Sequence, residues 1–309
     1  MAGKSLLLGV DLGGTKVEAA LLDQKGRVIE RKRTATPIDD YPGLLTQVCN
    51  LCTDLENSAG LTTALALGIC TPGSPSPVTG LMRNCNSTAL NGQSLREDLE
   101  KHSRRPVRIA NDADCLVLSE ATDGAARSAR SVFGVILGTG VGGGFFINGS
   151  LLQGPNAVSG EWGHNRMPLE RVQALPDQLA YPRPCYCGRQ DCVETWLSGP
   201  GLALTHQQLH GTCIDMQQIR SQQLDVKHQK TLSIYQSMLA AALAGIINIV
   251  DPEIIVLGGG LSNIDLIYSS MPKLLQRQIF SDTCRTQIRA AQHGDSSGVR
   301  GAAWLWQRG

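Results

Sequence analysis

Residues 6–30, LLLGVDLGGTKVEAALLDQKGRVIE, form an apolar stretch split by Asp11-Leu12-Gly13-Gly14-Thr15 and closed by a Lys-Gly turn. Residues 132–154, VFGVILGTGVGGGFFINGSLLQG, repeat that arrangement and end on an Asn-Gly turn. Each reads as strand, glycine turn, strand. Two such hairpins more than 100 residues apart predict a duplicated α/β domain, each half turning a glycine loop toward a shared cleft.

The intervening chain supports the same class. Residues 37–60 read as an amphipathic helix, 64–70 (ALALGIC) as a buried strand, and 71–80 as a loop with three prolines. VRIA at 107–110 is a short strand running into Asn111-Asp112, and 113–126 is the helix that follows. Residues 231–250 are apolar enough for a core helix, which Asp251-Pro252 stops before the strand EIIVLGGG.

Composition narrows the functions. With 28 basic against 27 acidic residues and 42% hydrophobic content, the 309-residue chain has a core to bury and no charge excess for phosphate backbones. Nucleic acid is therefore not an expected partner. The N-terminal segment has one Lys and reaches Asp11 after a short apolar run, so neither a signal peptide nor a membrane span is expected, and the location expected is cytoplasmic.

In a reducing cytoplasm, clustered cysteines favour metal binding or redox chemistry over structural disulfides. PCYCGRQDCVET at 184–195 holds three of the ten cysteines: Cys185, Cys187 and Cys192. A Gly turn after Cys187 suits thiolates converging on a tetrahedral ion, whereas a redox CxxC needs other spacing and a CxC disulfide is strained. Metal is the favoured reading. The fourth ligand chosen is His164, in the Gly-rich, acidic context Gly160-Glu161-Trp162-Gly163-His164. Cys49-x-x-Cys52 has redox spacing but lies in an apolar helical pattern, where core packing explains it.

The glycine loops carry a second chemistry. Asp11 with Gly13, Gly14 and Thr15 could cradle phosphate beside a carboxylate-held Mg²⁺, or form a tight hairpin and nothing more. Gly138-Thr139-Gly140 with Gly142, Gly143 and Gly144 weakens a strand unless something approaches its backbone, which favours a phosphate or nucleotide role. Neither matches GxxxxGK[ST], and FFINGS follows where a dinucleotide fingerprint would start a helix. Gly258-Gly259-Gly260 ends a strand, where α/β sheets bind ligands, although a simple turn explains it equally well. Asn111-Asp112 could cap the next helix, and a carboxylate at a strand end also suits a general base.

Together DLGGT at 11–15, ILGTGVGGG at 136–144, GEWGH at 160–164, CYCGRQDCVET at 185–195 and VLGGGLSN at 256–263 resemble the ROK family of sugar kinases, within the actin-like ATPase superfamily. The resemblance spans almost the whole chain. ANDADCLVLSEATDGAA and HGDSSGVRGAAWLW make it closest to the bacterial fructokinases of that family, with N-acetylglucosamine kinases next. It implies a two-domain actin-like (ribonuclease H-like) α/β fold with an interdomain active-site cleft. The smaller lobe would hold residues 1–111 plus about 295–309, the larger 112–294, with a zinc-binding insert at 164–194. The last helix would return to the first lobe.

The resemblance also implies roles. Gly13, Gly14, Thr15, Lys16 and the loop Gly138, Thr139, Gly140, Gly142 and Gly143 would hold ATP phosphates, Asp11 would lie near Mg²⁺, and Gly258, Gly259 and Gly260 near adenosine. Asp112 would be the base toward the sugar hydroxyl. Asn86, Asn111, Glu161, His164 and Glu194 would bind the remaining hydroxyls, while His164, Cys185, Cys187 and Cys192 hold a structural Zn²⁺. The family has Gly before the third cysteine, where this chain has Asp191, a residue that tolerates positive φ better than most. Some members are repressors with a DNA-binding domain ahead of the first glycine motif, and with ten residues before Asp11 none is expected here. A homodimer is common among relatives. The expected activity is ATP-dependent phosphorylation of a hexose at its 6-hydroxyl. Fructose is the leading substrate because the polar loop at 83–95 suits a ring carrying only hydroxyls. N-acetylglucosamine, mannose or glucose is the alternative.

Overall fold

The computed structural model describes residues 6–85, 87–172, 175–179, 181–221 and 223–307. Two-residue strands and short turns aside, the chain runs β1 (Leu6–Leu12), β2 (Lys16–Asp23), β3 (Val28–Ala35), α1 (Tyr41–Ser58), β4 (Leu67–Thr71), α2 (Leu95–Ser103), β5 (Val107–Asn111) and α3 (Asp112–Asp123). It continues through β6 (Ser131–Leu137), β7 (Val141–Ile147), α4 (Gly199–His210), α5 (Val226–Val250), β8 (Ile254–Gly258), α6 (Leu266–Gln276), β9 (Gln287–Ala290) and α7 (Ser297–Trp304). These elements gather into two compact units, one of residues 1–128, 149–159 and 293–309, the other of 129–148 and 160–292.

In the first unit the strand order is β3-β2-β1-β4-β5. The β1–β2 hairpin is antiparallel, β1–β4 and β4–β5 are parallel, and the parallel pairs need the crossovers that α1 and α2 supply. Helix α1 starts where Asp40 accepts a hydrogen bond from the Gly43 N–H, and Pro42 fits its first turn. It buries Leu44, Leu45, Val48, Leu51, Cys52 and Leu55, one stripe at helical spacing, against β1, β2 and β4 residues such as Val10, Val17 and Ile69. Cys52 is therefore a core residue, its thiol pushed up to about 12 by burial.

The second unit repeats that order. Strands β7-β6-β8-β9 carry an antiparallel hairpin followed by two parallel neighbours, as β2-β1-β4-β5 do. Its core is built on α5, which Asp225 caps at the N-terminus by accepting from the His228 N–H and Asp251 ends in the left-handed conformation. By length and composition α5 could cross a membrane, but Leu232, Tyr235, Met238, Leu239 and Leu243 lie in this core with Phe133, Leu137 and Ile255.

The division falls after 128 and 292, where the sequence expectation set 111 and 294. Helix α3 stays with the first unit because α7 packs on it, Gly301 lying so close to the Cys115 backbone that a β-carbon would overlap it.

Candidate functional site

The first unit presents the β1–β2 turn and the start of α3. Gly13 donates its N–H to the Lys16 carbonyl at 2.9 Å, and its own carbonyl accepts from the Thr36 hydroxyl at 2.7 Å, which fixes the turn. At exposed Gly14 a β-carbon would meet nothing within 4 Å, so the surrounding chain leaves space there. Asp11, at the end of β1, has its carboxyl pushed above the usual range, by burial first and by Glu18, while a hydrogen bond from Cys70 and the charges of Lys16 and Arg33 pull it down. A divalent cation there would restore the charge that burial disfavours.

Asn111 and Asp112 divide their work. Asn111 accepts from the Asp114 N–H at 2.7 Å and caps α3. Asp112 is exposed in the first turn, with Oδ1 accepting from the Ala113 N–H at 2.8 Å. Asn86 lies outside the described residues.

The second unit brings the other predicted residues together. Glu194 Oε2 accepts from the Val141 N–H at 3.0 Å, and a β-carbon on Gly140 would sit 2.5 Å from that oxygen, so the glycine lets the carboxylate brace the loop. The loop is held further by Gly138 N–H to the Gly140 carbonyl (3.0 Å) and Gly199 N–H to the Gly138 carbonyl (2.7 Å). Gly143 has a packing reason, since a β-carbon there would run into Phe133, Trp162 and the Gly160 carbonyl. So does Gly259, with φ +81° and the Leu137 backbone 2.5 Å from a hypothetical β-carbon. Trp162, whose indole N–H donates to the Gly142 carbonyl at 2.9 Å, leads into the one-turn helix that carries His164, with Glu161 exposed just before it.

The ligand atoms of His164, Cys185, Cys187 and Cys192 all lie within 4.8 Å of one another. Cys187 and Cys192 sulfurs are 3.7 Å apart, and Cys185 Sγ is 3.6 Å from His164 Nδ1. A tetrahedral ion with thiolate and imidazole ligands separates its donors by about 3.8 Å (S to S) and about 3.5 Å (N to S), so the donor set fits. Asp191 takes φ +54°. It is secured there by two hydrogen bonds to the Arg183 backbone, Asp191 N–H to the Arg183 carbonyl at 2.8 Å and Arg183 N–H to the Asp191 side-chain Oδ1 at 2.9 Å. Arg183 stacks over Trp196 at 3.6 Å and spends its guanidinium on the Thr195 and Gly201 carbonyls, Thr205 and Gln208.

One residue escaped sequence reasoning. Tyr186, between two of the cysteines, places its hydroxyl 3.0 Å from His164 Nε2. Desolvation, then the charges of Glu194, Cys185 and Glu161, push its phenol up to about 12, so it is neutral at pH 7. A cavity of about 490 Å³ has Thr139, Cys185, Tyr186, Glu194 and Ser198 in its wall.

Two glycine-turn hairpins on repeated sheets, an acid at a helix start and a Cys/His group define a two-domain α/β protein of the actin-like, ribonuclease H-like class. Residues 7–309 match the ROK family, and the chain belongs to it, among its sugar kinases. It is 37% identical over 300 residues to an N-acetyl-D-glucosamine kinase of Yersinia pseudotuberculosis, covering 96% of this chain and 97% of that one. Among solved structures it is similar to a ROK hexokinase from Thermus thermophilus (TM-score 0.83, 26% identity, 97% of each chain). A ROK glucokinase from Streptomyces griseus, in complex with glucose and AMPPNP, is similar at TM-score 0.76 and 26% identity, over 97% of this chain and 99% of that one.

Proposed function

We propose that this chain transfers the γ-phosphoryl group of ATP to the 6-hydroxyl of a hexose, and that the hexose is N-acetyl-D-glucosamine. The observation that carries the substrate is the 37% identity, over nearly the full length of both chains, to a relative bearing that activity in its name. The relatives' names favour this alternative over fructose, the leading expectation; Asn86, in the loop on which fructose rested, lies outside the described residues.

Asp112 is the base. Its carboxyl group stands exposed in the first turn of α3, where it can take the proton of the attacking hydroxyl. The turns of Gly13, Gly14, Thr15, Lys16 and of Gly138, Thr139, Gly140, Gly142, Gly143 hold the phosphates, with Gly258, Gly259 and Gly260 near adenosine. Asp11 would hold Mg²⁺, which when bound would supply charge neutralisation at the phosphates. Asn111, Glu161, His164 and Glu194 orient the sugar hydroxyls. His164, Cys185, Cys187 and Cys192 hold Zn²⁺, a closed four-ligand set whose part is structural, fixing His164 and the backbone that leads to Glu194. The reaction belongs in the cytoplasm, where thiols stay reduced.

The test is kcat/KM with ATP for N-acetylglucosamine, N-acetylmannosamine, fructose, glucose and mannose in one coupled assay. N-acetylglucosamine ranks first. Fructose ahead by about tenfold would return the assignment to the earlier expectation, since that ratio is worth about 1.4 kcal/mol of discrimination. Turnover of none of the five would end the kinase reading.

A further inference from the structure

The two ring nitrogens of His164 have different surroundings. Nδ1 lies 3.6 Å from Cys185 Sγ, within the metal-donor group. Nε2 lies 3.0 Å from the Tyr186 hydroxyl, and the phenol ring stands edge-on to the imidazole with centroids 5.2 Å apart. With Nδ1 turned to a cation, the single ring proton sits on Nε2, which donates while the Tyr186 oxygen accepts. One N–H directs its bond well at one acceptor only.

Tyr186 is built to leave that position. Its backbone is tied between Cys185 and Cys187, whereas the residue is 75% exposed and its side chain gives up little packing on rotation. Both carboxylates assigned to the sugar, Glu161 and Glu194, act electrostatically on its hydroxyl, and Glu194 shares a cavity wall with it.

We propose that Tyr186 is a specificity-determining residue of the sugar site, its hydroxyl occupying on His164 the hydrogen-bond position that a sugar hydroxyl takes, so that the sugar binds by displacing it. This rests on the reading of His164 as a sugar contact. The exchange acts as a filter. A sugar with a hydroxyl at that place replaces the lost bond and adds those to Glu161 and Glu194. One without it leaves the His164 and Tyr186 pair closed.

Tyr186→Phe removes the competing oxygen and keeps the ring. N-acetylglucosamine binding by calorimetry, steady-state constants and zinc per chain are measured on wild type and variant. The variant binds the sugar about two- to tenfold more tightly, the range for one partly exposed hydrogen bond, and its sugar KM falls in step. Its kcat, KM for ATP and zinc content stay at wild-type values. Unchanged or weaker sugar affinity in an active, zinc-replete variant overturns the proposal alone. Loss of zinc from the variant also overturns it, since Tyr186 would then support the donor group. Wild type that neither binds nor phosphorylates any of the five sugars removes the reading of the site and the proposal with it.

Discussion

Asp112 and Asn111 sit side by side, and while the Asn111 side chain caps α3, that of Asp112 takes the Ala113 N–H. Asp112→Asn tests the division, because an amide oxygen can still accept the Ala113 N–H that Asp112 now takes. The variant keeps its fold and ATP binding while kcat falls by about 10² or more, the lower end of general-base contributions. Near-wild-type turnover would leave Asp112 as a helix-end residue. That two Asx residues exceed what a cap needs was legible in the sequence; which of them caps was not, because it depends on side-chain direction. The same holds at Asp191. A departure from the family's glycine could be named from sequence, and φ +54° with two bonds to Arg183 gives its physical account. Tyr186 was illegible, since its significance depends on which way the His164 ring turns.

Elements with a strong period were legible. The stripe of α1, the apolar run of α5 ending at Asp251, and the paired hairpins all follow from residue spacing. What spacing does not carry is which faces meet, and three histidines on α4 and α5 illustrate it. His206 is fully buried, its Nδ1 2.9 Å from the Thr231 hydroxyl and its Nε2 3.3 Å from Thr212. His210 reaches the same Thr231 at 3.1 Å, and His228 stands 4.7 Å from His206, ring to ring, while bonding Asp225 at 2.9 Å. Burial, then His228, His210 and Lys227, hold His206 below the ordinary histidine value against the pull of Asp225. Burial with Lys227, His228 and Lys230 holds His210 down, against a backbone contribution from Lys227. With the folded pKa depressed, the unfolded chain takes up protons first as pH falls through about 6.5, so the stabilisation is complete above that pH and is lost below it. The melting temperature therefore drops between pH 7.5 and 5.5, and the drop is smaller in His206→Gln, whose amide can still bond Thr231. Equal pH slopes in variant and wild type would dismiss the cluster as the cause.

At the scale of the whole molecule the chain leaves the first unit at 128, rejoins it over 149–159, builds the rest of the second, and returns at 293. Duplication and return were both readable from sequence, the first from the repeated glycine hairpins and the second through the family resemblance. The boundary was not, because it is set by how closely α7 sits on α3, β1 and β4, and that closeness depends on glycines facing backbone. Gly9 faces the Val299 carbonyl and Ala303, Gly68 faces the Ala302 carbonyl, and Gly301 faces the Cys115 carbonyl. Charged groups pin the returning segment from the same side. Glu120 accepts from the His293 N–H at 2.9 Å and the Ser297 hydroxyl at 3.1 Å, and Arg300 pairs with Asp123 while donating to the Gly26 carbonyl at 2.8 Å. Gly301→Val tests whether this contact holds the first unit together. A β-carbon there would overlap the Cys115 backbone, which no rotamer change can clear, so α7 must lift from α3. Overpacking of this kind costs typically about 1–3 kcal/mol and sometimes more, and each kcal/mol lowers the melting temperature by about 2–4 °C in chains of 150–250 residues. Gly245→Ala in α5 is the control, since a β-carbon there meets nothing within 4 Å and alanine favours the helix. Gly301→Val should melt several degrees below wild type, and limited proteolysis should cut first within residues 1–128, while Gly245→Ala melts at or above wild type. Equal melting of Gly301→Val and wild type would mean that α7 is not seated on α3 in solution.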